Sequence, residues 1–157
     1  MPDLVSRLQQ MGLALPPAPK PVASYIPAVL VPGGVGNLVF VSGQIPMRDG
    51  ALIASGSVPS RVSIETAQQC ARQCVLNGLA ALNAEIGSLQ RLRRVVRLGV
   101  FVACEPEFTD QPKVANGASD LLVELLGEAG RHARAAVGAP SLPLGAPVEV
   151  EFVFLVD

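Results

Sequence analysis

Near the C-terminus, "GRHARAAVGAPSLPLGAPVEVEFVF" (residues 130–154) sets Arg134 and Glu149 among small, apolar and turn-forming residues. Arginine carries a rigid fork of donors that matches a carboxylate. A glutamate held in a cleft can orient water or take a proton from it. Together the two would form an anion clamp beside a proton acceptor. They would serve equally as a partly buried ion pair, or as two solvated charges at a rim, and residue types alone leave these readings open. The thiols offer less. Cys70 and Cys74 share a helix face at i, i+4 spacing, Cys104 stands apart, and the one histidine, His132, is not spaced to join them. A structural zinc site needs about four ligands, so small thiols within a core are the expectation and a metal is not.

Composition bounds what such residues could belong to. The chain has 157 residues, enough for one domain with a real core, with residues 1–22 as an N-terminal helix and proline-rich arm. Charged residues make up only 16%, against roughly 25% in a typical soluble domain. A monomer so poor in charge would leave apolar surface uncovered, so contact with further subunits is expected. The net charge of -1 supplies no basic field for nucleic acid. No apolar run reaches the ~20 residues of a membrane span. The start, "MPDLVSRLQQMG", lacks the basic and apolar regions of a signal peptide. A cytoplasmic chain is expected.

The elements that must position Arg134 and Glu149 follow from periodicity. Leu4, Val5, Leu8 and Met11 form one stripe of a short helix over residues 3–11, which Gly12 stops, and "ALPPAPKPVASY" is an extended connector. "NLVFVSGQIP" reads as a strand, and "RDG" as a tight turn into a second short strand around Ala51–Ser55. Residues 60–86 are the longest helical pattern, with Ser63 as N-cap and Glu65 in the first turn. "RRVVRLGVFVAC" is a strand, Thr109 and Asp110 are cap candidates for a second helix ending near Gly130, and strands follow at Ala133–Ala139 and Val148–Val156. The predicted class is α+β, with one mixed sheet and two long helices on one face. The last strand is apolar on both sides: Val148, Val150, Phe152 and Phe154 point one way, Val153 and Leu155 the other. Helices cover only one face, so another subunit is the natural cover for the second. Pairing of the last two strands as a hairpin would bring their loop ends together, with Arg134 and Glu149 at different heights.

Five separated segments, "YIPAV", "NLVFVSGQIP", "LNGLAALNAEIGSL", "LGVFVACEPEF" and "RAAVGAPSLPLGAPVEVEFVF", together resemble the Rid (YjgF) family. The likeness is to its longer branch, labelled endoribonuclease L-PSP or chorismate-mutase-like, and runs from about Ala23 to the C-terminus. It implies a chorismate-mutase-like fold and a homotrimer whose sheets face a central barrel, with clefts between subunits. It also implies cofactor-free hydrolysis of reactive enamines and imines to 2-oxo acids and ammonia. By position, Arg134 matches the arginine that grips the substrate carboxylate, and Glu149 the carboxylate that positions water. Tyr25 matches a cleft-lining tyrosine, Ser42 and Gly43 the pocket floor, and Asn116 an asparagine near a helix start. Backbone donors near Gly43 or Ala136 would hold the other end of the substrate. Each has a plainer reading: Tyr25 as an anchor for the arm, Ser42 and Gly43 as a strand-end corner, Asn116 as helix surface. Many family members carry serine and cysteine just after the arginine, whereas this chain has Ala135 and Ala136.

Those two alanines suit a first rival, a non-catalytic trimer that binds small carboxylates. An endoribonuclease is the second, suggested by the branch label. It would want basic surface with stacking aromatics, and here aromatics are 4% and the one basic cluster is "RLRRVVR". Chorismate mutase chemistry is the third. It would need several cations around a dicarboxylate, and Arg134 has no such companions. Fold likeness alone does not transfer an activity.

Overall fold

The computed structural model describes residues 4–21 and 23–157. The first position of the predicted N-terminal helix, Asp3, and Val22 of the proline-rich arm lie outside them. Helix α1 is Leu4–Gln10, and it buries Leu4 and Leu8. Val5, expected on the same stripe, is instead exposed. Arg7 Nη1 donates to the Leu125 carbonyl at 2.7 Å, satisfying an orphan acceptor in the last turn of a later helix. This ties the appendage to the body.

Strands β1 (Ala28–Val31) and β2 (Asn37–Gln44) follow, then the two-residue strands β3 (Met47–Arg48) and β4 (Ala51–Leu52). Asp49 and Gly50 both have positive φ, as a two-residue hairpin turn of the primed type requires. Helix α2 (Ile64–Ile86) starts where Ser63 accepts from Thr66 N and ends at left-handed Gly87. Strand β5 (Leu92–Ala103) leads to helix α3 (Gln111–Leu126), then β6 (Ala133–Ala139) and β7 (Val148–Val156). Asp110 sits at the cap of α3 but makes no side-chain cap bond; its carboxylate pairs with Lys113 at 2.9 Å instead. Helix α3 stops at Leu126, and a 3₁₀ segment carries the chain on to Gly130.

The main sheet has the order β1-β2-β7-β5-β6. Only the β5–β6 pair is parallel. Two sequence expectations change. Strand β1 was not foreseen: it pairs antiparallel with β2, Val29 opposite Phe40. And β6 and β7 form no hairpin, because β5 lies between them and pairs with both.

Both long helices cover one face. Val148, Val150, Phe152 and Phe154 point toward them and are buried, while Glu149, Glu151, Val153 and Leu155 point away and are half-buried. On that second face Val29, Val31, Phe40 and Val137 are exposed. The two-sided apolar pattern of β7 is therefore met by helices on one side only.

Close approach depends on absent side chains. A Cβ at Gly78 of α2 would stand 2.5 Å from Phe152 Cε2. A Cβ at Gly117 of α3 would overlap the backbone of Gln68 in α2. Backbone cannot swing aside as a long side chain can, and overpacking of this kind costs about 1–3 kcal/mol. Gly117→Ala should therefore lower the free energy of unfolding by that amount, seen as a lower urea midpoint. An unchanged midpoint would mean the two helices are not held at this distance.

Candidate active site

Register fixes where Arg134 points. In β6 it stands beside Leu98 of β5, which in turn stands beside Phe152 of β7. Directly paired residues share a face, so Arg134 lies on the helix side, at the free edge of the sheet. There Arg134 Nη1 donates to Asn116 Oδ1 at 2.9 Å and to Ser119 Oγ at 3.0 Å. Asn116 and Ser119 are one turn apart on α3 and so reach the same spot. His132 Nε2 lies 3.0 Å from Ser119 Oγ, and His132 Nδ1 lies 2.6 Å from the Gly130 carbonyl. Burial lowers the His132 pKa, its bond to Gly130 opposes this, and the charge of Arg134 lowers it further. Ala136, two positions along β6, is half-buried against the core on the same face as Arg134.

Glu149 is on the other face, opposite Phe101 of β5. Burial raises its pKa above the ordinary carboxylate range, and the charge of Glu151 adds to this. Glu151 is paired with Arg97 at 3.0 Å; Glu149 has no hydrogen-bond or ion-pair partner among the described residues. Its carboxylate rests against Gly43, where a Cβ would overlap Oε1. Gly43 and Ser42 form a bulge: Val41 is opposite Phe152 and Gln44 opposite Val150, so two residues of β2 face Glu151 alone. Ser42 Oγ donates to the Ile26 carbonyl at 2.8 Å, and Ser42 N donates to the Pro27 carbonyl at 2.9 Å. Both bonds tie the segment bearing the exposed Tyr25 to the end of β2.

The expected residues thus fall into two groups rather than one site. Arg134, Asn116 and Ala136 belong to the β6–α3 edge. Glu149, Gly43, Ser42 and Tyr25 belong to the end of β2 and the preceding segment. Strands β6 and β7 are two spacings apart, about 10 Å, and the side chains project from opposite faces. No rotamer of one chain closes that gap. Ser119 and His132 were missed by sequence reasoning, although position i+3 from Asn116 puts Ser119 on the same helix face, and His132 lies just before β6, two residues from Arg134.

Other features stand apart from both groups. A concavity of about 530 Å³ at the C-terminal ends of β5 and β6 is lined by Ser57, Cys104, Glu105 and Gln111, among others. Glu105 Oε1 accepts there from Ser57 Oγ at 3.0 Å and from Ser60 Oγ. The Ser60 bond is the largest cause holding its carboxyl below the ordinary range. Cys70 and Cys74 are buried in α2, and burial pushes Cys70 up to about 11. The arginines of "RLRRVVR" are engaged: Arg91 with the Ile86 and Asp157 carbonyls, Arg93 with the Asp157 carboxylate, Arg94 with the Arg131 carbonyl, Arg97 with Glu151. No described helix is long and apolar enough to cross a membrane.

Comparison with known proteins agrees with this architecture. Residues 5–155 match the family described as "YjgF/chorismate_mutase-like, putative endoribonuclease". Protein TCP17 of Trypanosoma cruzi is 42% identical, over 94% of this chain and 91% of its own. A 2-iminobutanoate/2-iminopropanoate deaminase of Dermatophagoides farinae is 29% identical, over 92% and 95%. A crystal structure of an Agrobacterium tumefaciens protein of unknown function superposes with TM-score 0.87 at 42% identity, covering 98% of this chain and 92% of that one.

Two predictions concern Glu149. A raised pKa means that the folded chain keeps a proton which the unfolded chain has already released, so stability falls as pH climbs through and above the ordinary carboxylate range. Glu149→Gln should therefore raise the urea midpoint at pH 8, with the gain shrinking toward pH 4. Equal midpoints for both proteins at both pH values would show that the site imposes no cost. Gly43→Ala should displace the carboxylate, which is the far end of a flexible side chain. Its cost in stability should stay below about 1 kcal/mol, while any activity that depends on Glu149 falls at least tenfold. Intact activity would remove Glu149 from the chemistry.

Proposed function

The chain belongs to the YjgF/chorismate mutase-like family, and from that premise we propose that it hydrolyses reactive 2-imino acids and their enamine tautomers to 2-oxo acids and ammonia. The observation that carries the reading is the form of the two groups. Arg134 has Nη1 committed within the chain and its Nε–Nη2 edge uncommitted among the described residues. Two parallel N–H donors on that edge match a carboxylate. Glu149 is a carboxylate of raised pKa with no hydrogen-bond or ion-pair partner among the described residues. The deaminase name carried by the mite relative supports the same reaction class.

Neither group is sufficient alone, and one chain cannot join them. The proposed assembly is a homotrimer in which Arg134 of one subunit and Glu149 of the next face a shared cleft. The exposed apolar face that includes Val29, Val31 and Phe40 supports burial between subunits. In the cleft Arg134 fixes the substrate carboxylate and so the distance from imine carbon to water. Glu149 accepts a proton from that water as its oxygen bonds to the imine carbon. Glu149 returns that proton to the nitrogen to give the carbinolamine, then takes the carbinolamine's hydroxyl proton and delivers it to the nitrogen as the C–N bond breaks, leaving the 2-oxo acid and ammonia. One water is consumed for each 2-oxo acid and ammonia formed.

A second reading keeps the same cleft without turnover. Ala135 and Ala136 place no side-chain polar atoms beside Arg134, which favours a binding protein for small carboxylates. The engaged arginines of "RLRRVVR" favour a rim over an RNA surface.

The test is release of ammonia from freshly generated 2-aminoacrylate. Wild type should accelerate it, and Arg134→Ala and Glu149→Gln should each abolish the acceleration. When the two variants are unfolded, mixed equally and refolded, about one cleft in four would combine an intact arginine with an intact glutamate. Activity should return to about that fraction. No recovery in well-formed mixed trimers would overturn the shared cleft. No turnover by wild type, with 2-oxobutanoate bound in calorimetry, would select the binding reading.

A further inference from the structure

For a neutral His132 ring, donor and acceptor chemistry assigns the hydrogens around Arg134. The Gly130 carbonyl can only accept, so His132 Nδ1, 2.6 Å away, carries a proton. In the neutral ring Nε2 is then an acceptor. Arginine can only donate, so Ser119 Oγ accepts from Arg134 Nη1 at 3.0 Å. The Ser119 hydroxyl proton is left to point at His132 Nε2, 3.0 Å off. The result is a one-way chain of donors from Arg134 through Ser119 and His132 to a backbone carbonyl. Asn116 Oδ1 takes the second Nη1 hydrogen at 2.9 Å.

Both Nη1 hydrogens are therefore spent, in two directions fixed by α3. A planar guanidinium held at two points on one nitrogen cannot rotate about its long axis. Of its five donors, the two on Nη2 and the one on Nε remain. An exposed arginine held at one point would sample several orientations, and a ligand would have to pay that ordering entropy on binding.

We propose that Ser119 and His132 are positioning residues, which lock the Arg134 guanidinium with its Nε–Nη2 edge outward for two-point capture of a substrate carboxylate. The inference rests on the proposed role of Arg134 as the anion clamp and adds what makes the clamp rigid. His132 serves as a neutral acceptor in this arrangement. Its partial burial and the charge of Arg134 both disfavour the protonated ring, in keeping with that part.

The experiment measures 2-oxobutanoate binding by calorimetry and 2-aminoacrylate kinetics on the intact protein. The variants are Ser119→Ala, Ser119→Thr and His132→Leu. Alanine is the best helix former, so Ser119→Ala should fold as wild type does. One net hydrogen bond corresponds to about 3- to 10-fold in affinity. Ser119→Ala and His132→Leu should weaken binding by that factor and raise KM in step, leaving kcat within about twofold, as loss of uniform binding does. Ser119→Thr keeps the hydroxyl and should restore most of the affinity. In long-range nitrogen–proton spectra His132 should be the Nδ1–H tautomer at pH 7 in wild type. Wild-type affinity in Ser119→Ala, or a fall in kcat with KM unchanged, would overturn the proposal while leaving the clamp intact. A wild type that binds no 2-oxobutanoate and turns over no imine would instead remove the clamp itself, and the positioning role with it.

Discussion

Parallel strands cannot be joined by a tight turn; the chain must cross the sheet before it returns. Here α3 makes that crossing between β5 and β6. Most of the molecule's layout follows from it. Strand β6 takes one flank of β5, so β7, arriving by the short loop after Ala139, must take the other. Strand β6 becomes an edge, and α3 lies against it. Asn116 and Ser119 are thereby set beside Arg134, while Glu149 is carried across β5 to the opposite face. Had the last two strands formed a hairpin, arginine and glutamate would have stood on adjacent strands at different heights; with β5 between them they are on non-adjacent strands and opposite faces.

The two faces obey different packing rules. On the helix side, large side chains and glycines interlock, and Gly78 and Gly117 let backbone approach ring and backbone. On the other side the glycines make room for charge. Gly43 lies under Glu149 and Gly99 under Glu151. A carboxylate laid over a strand loses water without gaining a partner, which is unfavourable. Glu151 recovers part of that through Arg97; Glu149 does not. On the proposed reading, this unfavourable placement is that of a proton-handling group.

Much of this was legible in the sequence because the decisive signals are local. The strands Ala133–Ala139 and Val148–Val156 and the Ser63 cap come from period and residue type over short windows, and the structure keeps them. Strand β1 escaped because its run "AVLV" follows a proline connector and lacks polar alternation. Its identity as a strand comes from β2 beside it, which is a tertiary fact. The separation of Arg134 from Glu149 escaped for a related reason: sequence order says nothing about which strand lies between two others. Ser119 and His132 were missed as well. His132 offers no metal-ligand spacing in the sequence, so its chemistry shows only once its neighbours in space are known. Ser119, three after Asn116, shares a helix face with it, and His132 lies two residues before Arg134, just ahead of β6; that the helix face meets the strand edge is a tertiary fact.

On the proposed reading, assembly and catalysis are the same event. Arg134 by itself can hold an acid but has no base within reach. Glu149 by itself can accept a proton but has nothing to orient a substrate. A sheet cannot bend to bring opposite faces together, so any reaction needing both must draw them from two chains. The apolar face that a lone subunit would leave in water lies on the same side as Glu149. Covering it removes water from the carboxylate as well, which raises its proton affinity further. The burial that holds subunits together and the desolvation that sharpens the base then arise from one surface, and a dissociated subunit would lose both at once.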